Sequence, residues 1–313
     1  MNLKEAIDRF LEYCELDRNL SQKTVRMYAY YMKFFQKWIN RKNPEKSSTL
    51  KIENITEEDV RNFRLYLSRD YHNPYKGDLK QQTQNYFLVA LRSFFRFCIK
   101  KGHKTLSPEQ IDLGKVSDRE IQVLDAAEMQ ILFDAVDVST IIGMRNRAIM
   151  ETIFSTGLRV SEAVSLNRDQ INLQTGEFSV MGKGSKVRVV FLTEGAKGWL
   201  NKYFAMRNDP YKPLFIRYSG PKPENLDDKN FRLTSRSIER MIEKYKVIAG
   251  ITKKISVHTL RHSFATDLLS AGADIRSVQE MLGHKNIATT QHYTHVTNLG
   301  LKEVHKKFHS GNK

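Results

Sequence analysis

Four short stretches in the second half of the chain hold residues able to do chemistry. They are TGLRVSE with Arg159, GKGSK with Lys183, HTLRHSFAT with His258, Arg261 and His262, and the closing pair LGH and QHYTHV with His284 and Tyr293. Arginine offers a planar fork of donors matched to carboxylate or phosphate oxygens, and lysine a compact positive charge. Histidine exchanges protons near neutrality. A tyrosine hydroxyl, with an ordinary pKa of about 10, attacks only with a base or a strongly positive pocket beside it. Each stretch also has a plain reading. Arg159 and Glu162, three residues apart, suit a helical ion pair. GKGSK is a tight turn with a lysine at its tip, and it lacks the GxxxxGK[ST] spacing of a phosphate-binding loop. HxxRH is not the zinc-binding HExxH pattern, and an arginine inside it disfavours a metal. Taken alone, Tyr293 reads as a core aromatic far more readily than as a nucleophile.

The elements that must position these residues are mostly helical. From the helical spacing, Thr156 or Ser155 caps a helix that carries Arg159 in its first turn, and HTLRHSFATDLLSAG forms an amphipathic helix ending at Gly272. IRSVQEMLGH is a further helix stopped at Gly283, followed by ATTQHYTHV and NLGLKEVHKKFH. The period changes only in FSVMGKGSKVRVVFL, two β-branched runs joined by the GKGSK turn, which is a hairpin signal. In the first third, SQKTVRMYAYYMKFFQKWI repeats Val25, Tyr28, Tyr31, Met32, Phe35 and Trp38 at helical spacing, a stripe read as core, with Ser21 as its cap. Helices also follow from TEEDVRNFRLYLSR, capped by Thr56, and from QQTQNYFLVALRSFFRFCIKKG; HNPYKGDLK between them reads as a loop. The expected organisation is a helical domain at 1–106, an extended connection at 107–123 and a second domain at 124–313. The expected fold is mainly α with a small antiparallel sheet in the C-terminal domain.

Charge narrows the partner. The 313 residues carry 51 Lys and Arg against 35 Asp and Glu, a net of +16. Residues 1–107 hold 21 basic and 12 acidic side chains, and the remainder is net positive too. Two basic halves suit a chain that grips a nucleic acid from both sides. No apolar run is long enough for a membrane span, and MNLKEAIDRFLEYCEL has no signal-peptide core, so a cytoplasmic location is expected. Cys14 and Cys98 have no metal-ligand spacing and read as free thiols.

In this order, Arg159, Lys183, HTLRHSFAT, LGH and a final tyrosine resemble the tyrosine recombinases, and most of all their Xer and phage-integrase branch. The resemblance extends over essentially the whole chain. It implies a two-domain architecture, with a core-binding domain at 1–106 and a catalytic domain at 124–313. It further implies that Arg159, Lys183, His258, Arg261 and His284 surround a scissile DNA phosphate that Tyr293 attacks. In that scheme His258 accepts the tyrosine proton, Lys183 protonates the departing 5′ oxygen and His284 hydrogen-bonds the phosphate. Two arginines can stabilise the charge that builds on the phosphate oxygens, so neither a metal nor another cofactor is expected. The 3′-phosphotyrosine bond keeps the energy of the phosphodiester, which permits strand exchange without ATP. The implied partners are double-stranded DNA with a specific recombination site and further copies of the chain: a dimer on one site, a tetramer on two. An accessory regulatory protein is compatible with this scheme. NLGLKEVHKKFH is expected to dock on a neighbouring subunit. His292 and His295 do not share the helical face of Tyr293 and are read as positional, and His262 as a supporting residue. Relaxation of supercoiled DNA by a type IB topoisomerase-like enzyme and DNA binding by a vestigial site are the competing readings.

Overall fold

The computed structural model describes residues 1–42, 44, 50–75, 77–116, 122–182, 186–220 and 227–283. Lys183, His284, His292, Tyr293, His295 and the segment NLGLKEVHKKFH lie outside the described residues. The chain divides into two compact units, Met1–Arg119 and Glu120–Lys313.

The first unit is built on helices α1 (Leu3–Glu15), α2 (Gln22–Lys42), α3 (Glu57–Leu65) and α4 (Gln81–Lys100). The starts of the first three follow from short polar side chains. Asn2 Oδ1 accepts from the Glu5 N–H, and Ser21 Oγ accepts from the Thr24 N–H at 3.3 Å. Thr56 and Asp59 cap each other's backbone N–H groups at the head of α3. The aromatic stripe of α2 is core. Val25, Met32 and Phe35 are buried, and Tyr28, Tyr31 and Trp38 pack against them. Phe35 meets Phe63 at 5.0 Å and 75°, and Phe10 meets Phe94 at 5.6 Å and 80°, the edge-to-face arrangement that aromatic quadrupoles favour.

The loop after α3 is not wholly irregular. It holds β1 (His72–Asn73) and β2 (Gly77–Asp78), an antiparallel pair with His72 opposite Asp78. Among the described residues there are therefore two small sheets, where the sequence pattern shows one. Two-residue strands are too short for an alternating pattern; this pair is made by the turn, where Asn73 Oδ1 accepts from the Tyr75 N–H. After α4 the chain runs back along it. Arg92 Nε donates to the Ile111 carbonyl at 2.6 Å, and Asn85 and Gly114 exchange hydrogen bonds of 2.7 and 3.0 Å.

The second unit contains α5 (Ala126–Asp134), α6 (Ile141–Thr156), α7 (Val160–Ser165), β3 (Glu177–Met181), β4 (Val187–Phe191), α8 (Glu194–Ala205), α9 (Asp228–Phe231), α10 (Ser235–Ile248), α11 (Val257–Ser270) and α12 (Ile275–Leu282). Helix α6 lies at the centre, packed on α8 and α11, with Ala148, Ile149, Met150 and Ile153 fully buried. Strands β3 and β4 form the expected hairpin, with Val180 opposite Arg188 and Met181 opposite Val187. Phe178, Val180 and Val190 point into the core. Helix α11 is more enclosed than an amphipathic pattern implies. Val257, Thr259, Leu260, Arg261, Ser263 and Ala265 are all buried, and Ser263 Oγ accepts from the Leu124 N–H.

Candidate active site

The start of α7 differs from the sequence expectation. Thr156 is the last residue of α6 and its hydroxyl donates back to the Thr152 carbonyl at 2.5 Å. Ser155 Oγ accepts from the Thr193 N–H at 2.6 Å. Neither caps α7, because Gly157, at φ 61°, turns the chain between the two helices. Arg159 itself occupies the cap position, and Glu162 closes the turn from within the helix. One Glu162 oxygen accepts from the Arg159 backbone N–H at 2.8 Å and the other from Arg159 Nη1 at 2.9 Å. Arg159 is thereby anchored at its base, and about a quarter of its side chain (26%) stays exposed.

Arg261 lies in the second turn of α11 and is 2% exposed. A cation so deep needs acceptors. It donates to the Gly157 carbonyl and, through Nη2, to the Leu282 carbonyl at 2.6 Å. Arg159 Nη2 reaches the next carbonyl, Gly283, at 3.4 Å. The two arginines, taken from chain segments a hundred residues apart, thus meet at the C-terminal end of α12, where a helix leaves its last carbonyls without internal partners.

His258 is one helical turn before Arg261. His258 keeps an exposed side, and its imidazole is held below the ordinary histidine value, first by partial loss of solvent around the ring and then by the charges of Arg261 and Arg159. It is therefore neutral at neutral pH and able to accept a proton. His262, its neighbour on α11 at 6.3 Å between ring centroids, is pushed down to about 4 by burial and by His258 and Arg261. The structure thus gathers Arg159, His258 and Arg261 with His262 beside them, whereas Lys183, His284 and Tyr293 fall outside the described residues.

One participant has no place in the sequence reading. Arg188, on β4, donates Nη1 and Nη2 to the two oxygens of Glu162 at 2.9 and 2.7 Å, and Nε to the Met281 carbonyl at 2.9 Å. Its one sequence signal is a charge in the β-branched run VRVVF, on the strand face that Val190 turns into the core. Glu162 is 5% exposed. Burial alone would raise its carboxyl, but hydrogen bonds from Arg188 and Arg159 bring it down to about 2.

Residues 122–299 match the family model described as the phage integrase family, and residues 7–102 match the N-terminal SAM-like domain of phage integrases. The chain belongs to the phage integrase family. It is 34% identical to the tyrosine recombinase XerD of Listeria innocua over 98% of this chain and 99% of the relative. It is equally 34% identical to the tyrosine recombinase XerC of Oceanobacillus iheyensis, over 99% of both. Overall identity therefore does not separate the XerC and XerD types. The crystal structure of a lambda integrase tetramer bound to a Holliday junction shares the fold. It covers 94% of this chain and 77% of the other at a TM-score of 0.70 and 20% identity.

Proposed function

We propose that the chain is a site-specific DNA recombinase that cuts and rejoins strands through a 3′-phosphotyrosine intermediate at Tyr293. Family membership supports the reaction class. The observation that carries the site assignment is the convergence of Arg159 and Arg261 on the end of α12, beside a neutral His258. A phosphodiester carries one negative charge and gains another as the tyrosine oxygen attacks in line. Arginine donors fixed before the reaction need no reorganisation when that charge develops, and each such donor contributes about 2.7–4 kcal/mol in comparable sites. Neutral His258 takes the tyrosine proton, Lys183 gives a proton to the leaving 5′ oxygen and His284 hydrogen-bonds the phosphate. Residues 1–106 act as the core-binding domain, 124–313 as the catalytic domain and 107–123 as the connection.

The enzyme acts as a dimer on one site and a homotetramer on two, through a Holliday junction; the lambda integrase tetramer of the same fold offers a precedent. It works in the cytoplasm, with chromosome partition or DNA integration as its task. The chain segment after Tyr293 docks on the neighbouring subunit, and an accessory regulatory protein is compatible with this scheme. To test the core of this reading, the protein is incubated with a nicked duplex that loses a short strand on cleavage and so traps the intermediate. A covalent protein–DNA adduct is expected with the wild type and none with Tyr293→Phe. An undiminished adduct with Tyr293→Phe would refute the assignment.

A further inference from the structure

Three arginines hold three successive carbonyls at the end of α12: Arg188 on Met281, Arg261 on Leu282 and Arg159 on Gly283. Two of them already belong to the proposed phosphate site. The third, Arg188, comes from the β3–β4 hairpin and shares the buried carboxylate of Glu162 with Arg159. Glu162 can satisfy both because its two oxygens accept four hydrogen bonds between them, at 2.7–2.9 Å. The Arg188 side chain is 10% exposed, so solvent screens little of the pairing.

The glycines of the sequence motifs fit this arrangement. A Cβ on Gly283 would lie 3.1 Å from Arg188 Cδ, and one on Gly182 would lie 3.3 Å from Arg188 Nη1 and 3.6 Å from Glu162 Oε1. A Cβ on Gly157 would run into the Phe264 ring at 2.5 Å and Leu282 at 3.1 Å. Gly182 and Gly283 therefore let backbone close in around Arg188, and Gly157 lets it close onto Phe264 of α11 and Leu282 of α12.

We propose that Arg188 is a positioning residue for strand cleavage. Through Glu162 it sets the guanidinium of Arg159, and through the Met281 carbonyl it fixes the end of α12 to the hairpin. Among the described residues it holds Glu162 and the Met281 carbonyl. The inference rests on the recombinase reading above. Its geometric reason is that the hairpin, α7 and α12 meet at one buried carboxylate and one helix end, so a shift in any of them moves Arg159. A misplacement of about 1 Å in a catalytic constellation costs on the order of a hundredfold in rate.

The test uses the full chain and a nicked duplex selected from a random pool by covalent capture with the wild type. Arg188→Met is expected to slow single-turnover cleavage about a hundredfold while affinity for the same duplex stays within about threefold. Glu162→Gln is expected to be slow as well. The double variant should be no slower than the worse single variant, because both act through Arg159. Arg188→Lys, which keeps the charge but lacks the planar fork that meets both Glu162 oxygens, should be at least about tenfold slower than wild type and faster than Arg188→Met; it also carries the test if Arg188→Met does not fold. Cleavage by Arg188→Met or Arg188→Lys within threefold of wild type would overturn the inference alone, as would full additivity in the double variant. Failure of the wild type to capture any duplex would overturn the recombinase reading, and the inference with it.

Discussion

The two units solve the burial problem in opposite ways. Among the described residues, the first unit buries one polar side chain, Asn85, which is fully used in closing its own chain onto α4. The second buries eleven, including Arg145, Arg147, Arg207, Arg261 and Glu162. Apolar and aromatic packing suffices to stabilise a helical unit, as the rings around Phe35, Phe63 and Phe94 show. Buried charge is costly unless it is paired, and it returns something else: a guanidinium whose position is dictated by its acceptors. The second unit accepts that cost where Arg159, Glu162, Arg188 and Arg261 meet. Precision is stored differently in the two units. In the first unit it is a matter of shape, and in the second a matter of hydrogen-bond geometry.

Large truncations separate the two units most clearly. Phe63→Ala, in the first core, should lower stability by about 3–5 kcal/mol, seen as an earlier denaturant midpoint. The cleavage rate of the protein that remains folded and DNA-bound should be close to wild type. Arg261→Ala should do more. It removes a donor from the site, lowering cleavage by at least about a hundredfold. It also orphans the Gly157 and Leu282 carbonyls, which costs about 1–3 kcal/mol for each. Equal effects of Phe63→Ala and Arg261→Ala on single-turnover cleavage would show that the site depends on general stability and not on buried charge.

The same contrast explains what could be read from the sequence. The aromatic stripe of α2, the cap at Thr56, the hairpin and the stop of α12 at Gly283 are local features with a period or a marker residue, and the structure has them where the pattern puts them. Arg159, His258 and Arg261 stood out because their motifs are compact. Arg188 did not, because its meaning lies 26 residues away at Glu162 and 93 residues away at Met281. A contact of that span leaves no periodicity. The cap of α7 departs from the local pattern for a related reason. Ser155 and Thr156 are good capping types, but Ser155 is drawn to the backbone around β4 and Thr156 to its own helix, a competition only the tertiary fold decides.

Acid sharpens the comparison further. Glu162 is held at about 2, below its ordinary 4.5, so its stabilisation is complete above 4.5 and is lost as pH falls towards about 2. The difference corresponds to about 3 kcal/mol. Glu162→Gln should be less stable than wild type at neutral pH and should lose less on acidification over that window, measured by denaturant unfolding at each pH. His262 sits at about 4 against an ordinary 6.5, so the folded state favours the neutral ring. The unfolded chain takes up the proton first, and stability should decline between about 6.5 and 4. His258 is also lowered in the DNA-free protein, and the acid limb of kcat/KM for cleavage, which reports the free protein, should therefore fall below the ordinary histidine value. An acid limb at or above 6.5 would remove His258 as the proton acceptor.

The finest comparison uses two glycines with the same backbone demand. Gly102, in the first unit, has φ 81° and no atom within 4 Å of a built Cβ. Gly283 has φ 63° and the Arg188 side chain at 3.1 Å. An alanine in left-handed backbone costs about 1–2 kcal/mol wherever it stands. Gly102→Ala and Gly283→Ala should therefore lower the unfolding free energy by comparable amounts. Only Gly283→Ala should also push on Arg188, and through it on Glu162 and Arg159, slowing cleavage beyond what its stability loss explains. If Gly102→Ala slowed cleavage as much, the effect would belong to stability alone, and the claim that Arg188 transmits position in the second unit would lose its support.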